Sequence, residues 1–303
     1  MPVIDAERGR AVARQLIRAF QTTGIHGKRS MPADLIPRSV TRGSLEHILF
    51  LTLTVSIDYM REANALWTSA RRTFENEETR HLFSAADIAG TPLERIIRGL
   101  QKYRLSKKPD KDALIWKTIG ETLHSKWQGD PRNFLRACQW NAEIILSRLR
   151  TETHMQGGRI IDDFPYLRGS KIGPLWLRIL KDNGGLAKLH NLGRVPIPVD
   201  VHIARATFAT GVVSGQYQGT MHEIAGYIRQ AWCDSVRELT LSDRPVIALD
   251  VDEPLWHLSK YGCTKRAHSG RKCPRLESCM ARDYCVHGAI IIRDGNVTLG
   301  THI

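Results

Sequence analysis

Residues 164–180 read FPYLRGSKIGPLWLRIL, and the architecture of the chain turns on how this stretch is taken. The order of residue types predicts the end of one helix, a tight turn and the start of another. Gly169 and Gly173 bracket a short loop. Pro174 falls where the first turn of the next helix begins, a place that needs no N–H. Helical spacing then resumes at Leu175, Trp176, Ile179 and Leu180. Amides exposed at a helix N-terminus suit a phosphate, and Lys171 adds a positive charge beside them. A glycine-rich turn between helices is also common as plain structure, so the stretch alone assigns no function.

Downstream lies VPIPVDVHIARATFATG, residues 195–211. Pro196 and Pro198 force an extended entry, and Asp200 stands where it caps a new helix. Further on, Cys263, Cys273, Cys279 and Cys285 run C-x9-C-x5-C-x5-C through a Lys- and Arg-rich segment. Four thiolates in that span can hold one metal centre. Structural zinc sites usually show a tight C-x2-4-C knuckle, and none is present. Wider spacing suits a cubane iron–sulfur cluster better, with a disulfide pair as the plain alternative. Cys138 and Cys233 sit in apolar helical stretches and read as small core residues.

The chain has 303 residues, enough for one large domain or two lobes. Strand signal is scarce and the class is mainly α. Helices are expected at 5–21, from a Ser44 cap through 48–53, at 57–74, 92–102, 111–127 and 133–150, the last opened by Asp130-Pro131. Residues 22–24 break the first helix and Gly157-Gly158 marks a loop. The closing AIIIRDGNVTLGTHI suits a small β-hairpin turning at Asp294-Gly295. No apolar run is long enough for a membrane span, and Asp5 and Glu7 argue against a signal peptide. Metal-binding thiols favour a reducing, cytoplasmic compartment, with nucleoid association if the source is bacterial. A net charge of +13, spread along the chain, favours a folded basic surface that attracts polyanions.

Taken jointly, the glycine turn, the Val199-Asp200-x-His202-Ile203-x-Arg205 string and the four cysteines resemble the endonuclease III branch of the helix-hairpin-helix DNA glycosylases. The Trp256-His257-Leu258 helix ahead of the cysteines is similar too, and residues 49–67 look like the first barrel helix and DNA-inserting loop. The resemblance spans roughly residues 40–287. It implies a six-helix barrel lobe with the hairpin at 43–181, and a cluster lobe built from 1–42 and 182–303. That second lobe carries the catalytic Asp and, at 263–285, a [4Fe-4S] loop held by the four cysteines. Three features depart from the family pattern. The first two cysteine gaps are longer than usual, no Gln stands near Val55, and Leu175 fills the slot of the family's lyase lysine if 171–173 is the hairpin. If Gly169 is instead the second hairpin glycine, Lys171 fills that slot.

The resemblance further implies a base-excision repair enzyme, acting as a monomer on double-stranded DNA, that flips a damaged, mispaired or modified base out and hydrolyses its N-glycosidic bond. Asp200 would steady the sugar cation and orient water. Gly169, Lys171, Ile172 and Gly173 would hold one phosphate, and Lys265, Arg266, Arg271 and Lys272 others. A monofunctional enzyme on a uracil-type or alkylated base is favoured. The alternatives are a bifunctional lyase using Lys171 and a non-catalytic iron–sulfur DNA-binding protein. An electron-transfer protein would explain neither the turn nor the charge. Trp67, Trp140, Trp176 and Tyr59 are the aromatics from which a base pocket could draw, although buried tryptophans are far more often core than base-stacking platforms.

Overall fold

The computed structural model describes residues 1–59, 61–266 and 273–302, with only the backbone of His302. The chain opens with a short strand, β1 (Pro2–Ile4), and the helix α1 (Ala6–Thr22), capped by Asp5, whose carboxylate accepts from the Arg8 amide at 2.9 Å. Val12, Ala13, Leu16 and Ile17 are buried, so spacings of three and four put one apolar face inward.

A helical unit follows. It contains α2 (Leu45–Ser56), α3 (Ala63–Glu75), α4 (Ala85–Gly90), α5 (Leu93–Lys102), α6 (Pro109–Trp127), α7 (Pro131–Ala137) and α8 (Ala142–Thr151). A two-stranded ribbon, β2 (Thr153–Gln156) and β3 (Arg159–Asp162), then leads to α9 (Ile172–Asp182). Every residue of α2 from His47 onward is buried, which makes it the central helix of this unit. Phe50 of α2 meets Trp67, Phe74 and Phe83 at centroid distances of 5.8, 5.8 and 5.6 Å. Two buried indoles are satisfied: Trp116 donates to Leu82 O at 2.6 Å and Trp176 to Thr52 Oγ1 at 3.0 Å.

The rest of the chain forms α10 (Val201–Ala209), β4 (Val213–Thr220), α11 (Met221–Val236), the two-residue strands β5 (Thr240–Leu241) and β6 (Arg244–Pro245), α12 (Asp252–Tyr261), β7 (His287–Arg293) and β8 (Asn296–His302). The sheet has the order β1-β4-β8-β7, antiparallel throughout. Asp294 and Gly295 turn at φ 49° and 80°, as a two-residue hairpin requires. No helix among the described residues is long and apolar enough to cross a membrane.

Two compact units result, one from Met1–Ser30 with Val195–Ile303, the other Met31–Arg194. Their boundaries fall at 30/31 and 194/195 rather than at 42/43 and 181/182. The reason is local: Arg42 donates to the Asp182 and Asn183 carbonyls, and Asn183 Nδ2 donates to Asp34 at 2.6 Å, which fastens 31–42 and 182–194 to each other. The helical unit holds eight α-helices among its described residues, not six. One extra comes from the expected 133–150 helix, which breaks at Gln139 and Trp140. Both residues are left-handed (φ 56° and 60°), and Asn141 then caps α8. The helix expected from 57 starts only at Ala63. No helix runs into the 164–171 turn either, because Gly157 and Gly158 close a β-ribbon there and Tyr166 is left-handed at φ 67°. Cys138 is buried as expected, whereas Cys233 lies on the exposed face of α11.

Candidate functional site

Asp200 is positioned by its own capping. Val195, Ile197 and Val199 are buried along the extended entry, and Asp200 (φ −119°, ψ −174°) ends it. Its Oδ1 accepts from the His202 and Ile203 amides, both at 2.8 Å. Both recorded bonds use the same oxygen, so Oδ2 is left for other work. Below it, His202 meets Ser259 Oγ at 3.2 Å and the Trp256 ring edge-on at 5.4 Å, which ties α10 to α12. Arg205, one turn further along α10, lies in the field of both Asp200 and Cys263. Burial lowers its pKa, and Cys263 and Asp200 oppose that shift.

The four cysteines border one pocket together with Ala209, Gly262, Arg266 and Leu276, and all four thiols are free. Leu276 N donates to Cys273 O, Cys279 N to Leu276 O, Arg282 N to Cys279 O and Cys285 N to Arg282 O, at 3.0–3.2 Å. A series of short turns, the last a 3-10 turn at Arg282–Tyr284, thus folds the segment between these cysteines. Burial pushes the Cys263 thiol well up, and the other three cysteines push it the same way. Burial also raises Cys279 and Cys285, with Arg266 pulling Cys285 back. Buried thiols that resist ionisation in one another's field are groups a metal centre would relieve. No three His, Cys, Asp or Glu side chains among the described residues stand close enough to hold a single ion.

Arg8 of α1 fastens this region, donating to Thr210 O at 2.7 Å and Tyr284 O at 2.8 Å. Arg266 is half-buried and points its guanidinium at Cys285 Sγ (3.9 Å) and Gly288 O (2.9 Å), an inward use unlike the expected phosphate contact. Lys265 is exposed, and Arg271 and Lys272 lie outside the described residues.

The turn before α9 belongs to the other unit. Gly173 N donates to Gly169 O at 3.0 Å, so the Gly173 amide, expected to grip a phosphate, closes the turn instead. Ile172 is buried, and its amide has no hydrogen-bond partner outside the helix among the described residues. Pro174 is the third helical residue rather than the first, still within the turn whose amides need no intrahelical partner. Lys171 Nζ donates to Asp58 O at 3.3 Å, and Leu175 is half-buried.

Beside this turn is a group that residue order did not reveal. Tyr59 and Tyr166 meet edge-on at 5.7 Å, Lys108 Nζ lies 5.0 Å over the Tyr59 ring, and Lys111 Nζ lies 5.2 Å over Tyr166. Tyr59 is 45% exposed, whereas Trp67 and Trp176 are core residues and Trp140 is half-buried. The SKKPDK run at 106–111 was the available signal, but of its lysines only Lys111 lies in α6, Lys108 being the residue just before it, and the tyrosines come from two separate turns. Neither a model of a known family nor a curated protein matches this chain.

Proposed function

We propose that the protein is a DNA glycosylase that hydrolyses the N-glycosidic bond of a base flipped out of duplex DNA. The observation that carries this reading is the state of Asp200. Its carboxylate is fixed by two amides through one oxygen while the other accepts no hydrogen bond among the described residues, on a helix whose Arg205 lies in the field of Cys263. Cleavage of a deoxynucleotide develops positive charge on the sugar, and a fixed carboxylate beside C1′ stabilises that charge and orients water. The base leaves on the far side and water adds at C1′, its proton passing to solvent or to the carboxylate. A base inside a helix is out of reach, so extrusion precedes chemistry.

Cys263, Cys273, Cys279 and Cys285 would hold a [4Fe-4S] cluster. A cubane spreads its thiolates around a wider perimeter than one zinc ion, and the four cysteines border one pocket without a tight C-x2-4-C knuckle among them. When bound, the cluster supplies structure rather than reaction: it fixes a loop with few apolar residues of its own. The +13 charge, the uncapped first turn of α9 beside Lys171, and the Lys–Tyr group at 59, 108, 111 and 166 support a nucleic-acid partner. A monofunctional enzyme is favoured over a lyase, because Leu175 is no nucleophile and the Lys171 amine is engaged at Asp58.

A panel of duplexes, each with one uracil, alkylated, oxidised or mispaired base, tests the reading. Base release with strands intact until alkali is added supports it. Direct nicking, with a borohydride-trapped adduct lost in Lys171→Ala, would transfer the role to Lys171. Tight duplex binding without base release from any lesion would leave a non-catalytic DNA-binding protein.

A further inference from the structure

Between α8 and the turn that opens α9, the β2–β3 ribbon presents an apolar face to water. Gly157 and Gly158, at φ 56° and 78°, form a two-residue turn, which sets the register: His154 opposite Ile161, Met155 opposite Ile160, Gln156 opposite Arg159. Alternation puts Met155 and Ile160 side by side on one face and His154 with Ile161 on the other. The second face is half-buried and rests on a buried anion. Asp163 is fully buried, with His154 Nδ1 at 2.7 Å and Lys126 Nζ at 2.6 Å, and Lys126 also donates to Thr153 O at 3.0 Å. The first face has no cover: Met155 is 65% and Ile160 73% exposed, the highest values among the described large apolar residues after Met1.

The ribbon is tied to the Lys171 turn. Arg168, within that turn, donates to Arg150 O at 2.9 Å and pairs with the Asp162 carboxylate, while Asp163 N donates to Glu152 O at 3.0 Å. Residues 148–171 hold five Lys or Arg against three acids, and each acid already has a partner: Glu152 has Arg148, Asp162 has Arg168, and Asp163 has Lys126 and His154. Arg150 and Arg159 are exposed and pair with no carboxylate among the described residues.

We propose that this ribbon is a duplex-DNA wedge. With the turn at Lys171 on one phosphate, Arg159 meets the backbone, and Met155 with Ile160 presses between base steps from the minor groove, unstacking them so that the target base leaves the helix. The proposal rests on the DNA reading above. Its occupant is the base stack of a duplex rather than an apolar protein surface, because the same short segment carries the unpaired Arg150 in α8 and Arg159 on the ribbon's other face, and continues into the Lys171 turn.

The test uses the full-length protein with its cluster, a duplex carrying an abasic-site analogue beside 2-aminopurine, and the same strand unpaired. Stacking quenches 2-aminopurine, so a wedge brightens it. Wild type brightens the duplex. The double variant Met155→Ser/Ile160→Ser should lose most of that brightening and bind the duplex about tenfold more weakly, with unchanged single-strand affinity and melting temperature. Met155→Leu/Ile160→Leu should behave as wild type. Should the serine pair fail to fold, the single variants give the same readout.

If the serine pair brightens and binds like wild type, the ribbon is no wedge although the DNA reading stands. Equal losses on duplex and single strand also overturn the wedge. So does a serine pair that unstacks normally but loses self-association in sedimentation, which assigns the face to a protein contact. A wild type that binds no DNA overturns both readings.

Discussion

Two helix starts divide the proposed labour of this protein, and they are built in opposite ways. At α10 two amides of the first turn, those of His202 and Ile203, are taken up by the Asp200 carboxylate, which adds an anionic oxygen to the helix start. At α9 no side chain caps the first turn, and the Lys171 ammonium stands beside it. A helix N-terminus carries partial positive charge in both cases. Filling it with a carboxylate yields a site for a developing cation, while leaving it open yields a site for phosphate. The same backbone feature thus takes opposite charge, depending on the residue before the first turn.

The largest expected disturbance separates the loop that underlies the α10 side from both helix starts. Cys279→Ser should remove visible colour and bound iron and send most of the protein to the insoluble fraction, since the cysteine segment has little core of its own. Full iron content in soluble Cys279→Ser would remove that residue from the ligand set.

Acid should act first on the unit that carries α9. His47 is fully buried in α2, its Nδ1 accepts from Gly43 N at 3.0 Å, and burial with Arg42 nearby lowers its pKa from 6.5 to about 4. The unfolded chain therefore takes up a proton that the folded chain refuses. Stability is fully present above about pH 6.5 and is lost as pH falls towards 4, by at most about 3 kcal/mol for this group. Denaturant melts at pH 7 and 5 on wild type and His47→Asn measure it. Asn keeps an acceptor for Gly43 and should flatten the slope, while parallel curves would acquit His47.

A smaller effect is expected at α9 itself. Lys171→Ala should weaken binding to all duplexes alike, several-fold, and reduce the salt slope by about one. A sequence-dependent loss at constant slope would mean that Lys171 reads bases instead. The smallest expected change concerns the α10 cap: Asp200→Asn should shift stability by only a few tenths of a kcal/mol, because Asn caps as well as Asp. A drop of 2 kcal/mol or more would show that the charge serves the fold.

How far these sites could be read from residue order depended on whether their cause was local. The Asp200 cap was legible, since two prolines and a carboxylate before an apolar helical run determine their own geometry. The Asp294-Gly295 hairpin was legible for the same reason. The Lys171 turn was legible as a turn, but the strand before it was not: a four-residue ribbon closed by Gly-Gly carries too little alternation to outweigh the helical residues around it. β4 was missed because its interior, SGQYQG, draws its pairing from β1 and β8, far away in sequence. The Tyr59–Tyr166 pair and the inward turn of Arg266 depend on contacts between distant segments, which spacing does not encode.

The measurement that tests the central claim most directly is single-turnover base release from the best lesion duplex by wild type and Asp200→Asn, with affinity measured on the same DNA. Loss of the charge that steadies the sugar cation should slow release by about 10²–10³-fold or more, with iron content unchanged and affinity equal or slightly higher. Release by Asp200→Asn at the wild-type rate would contradict the account.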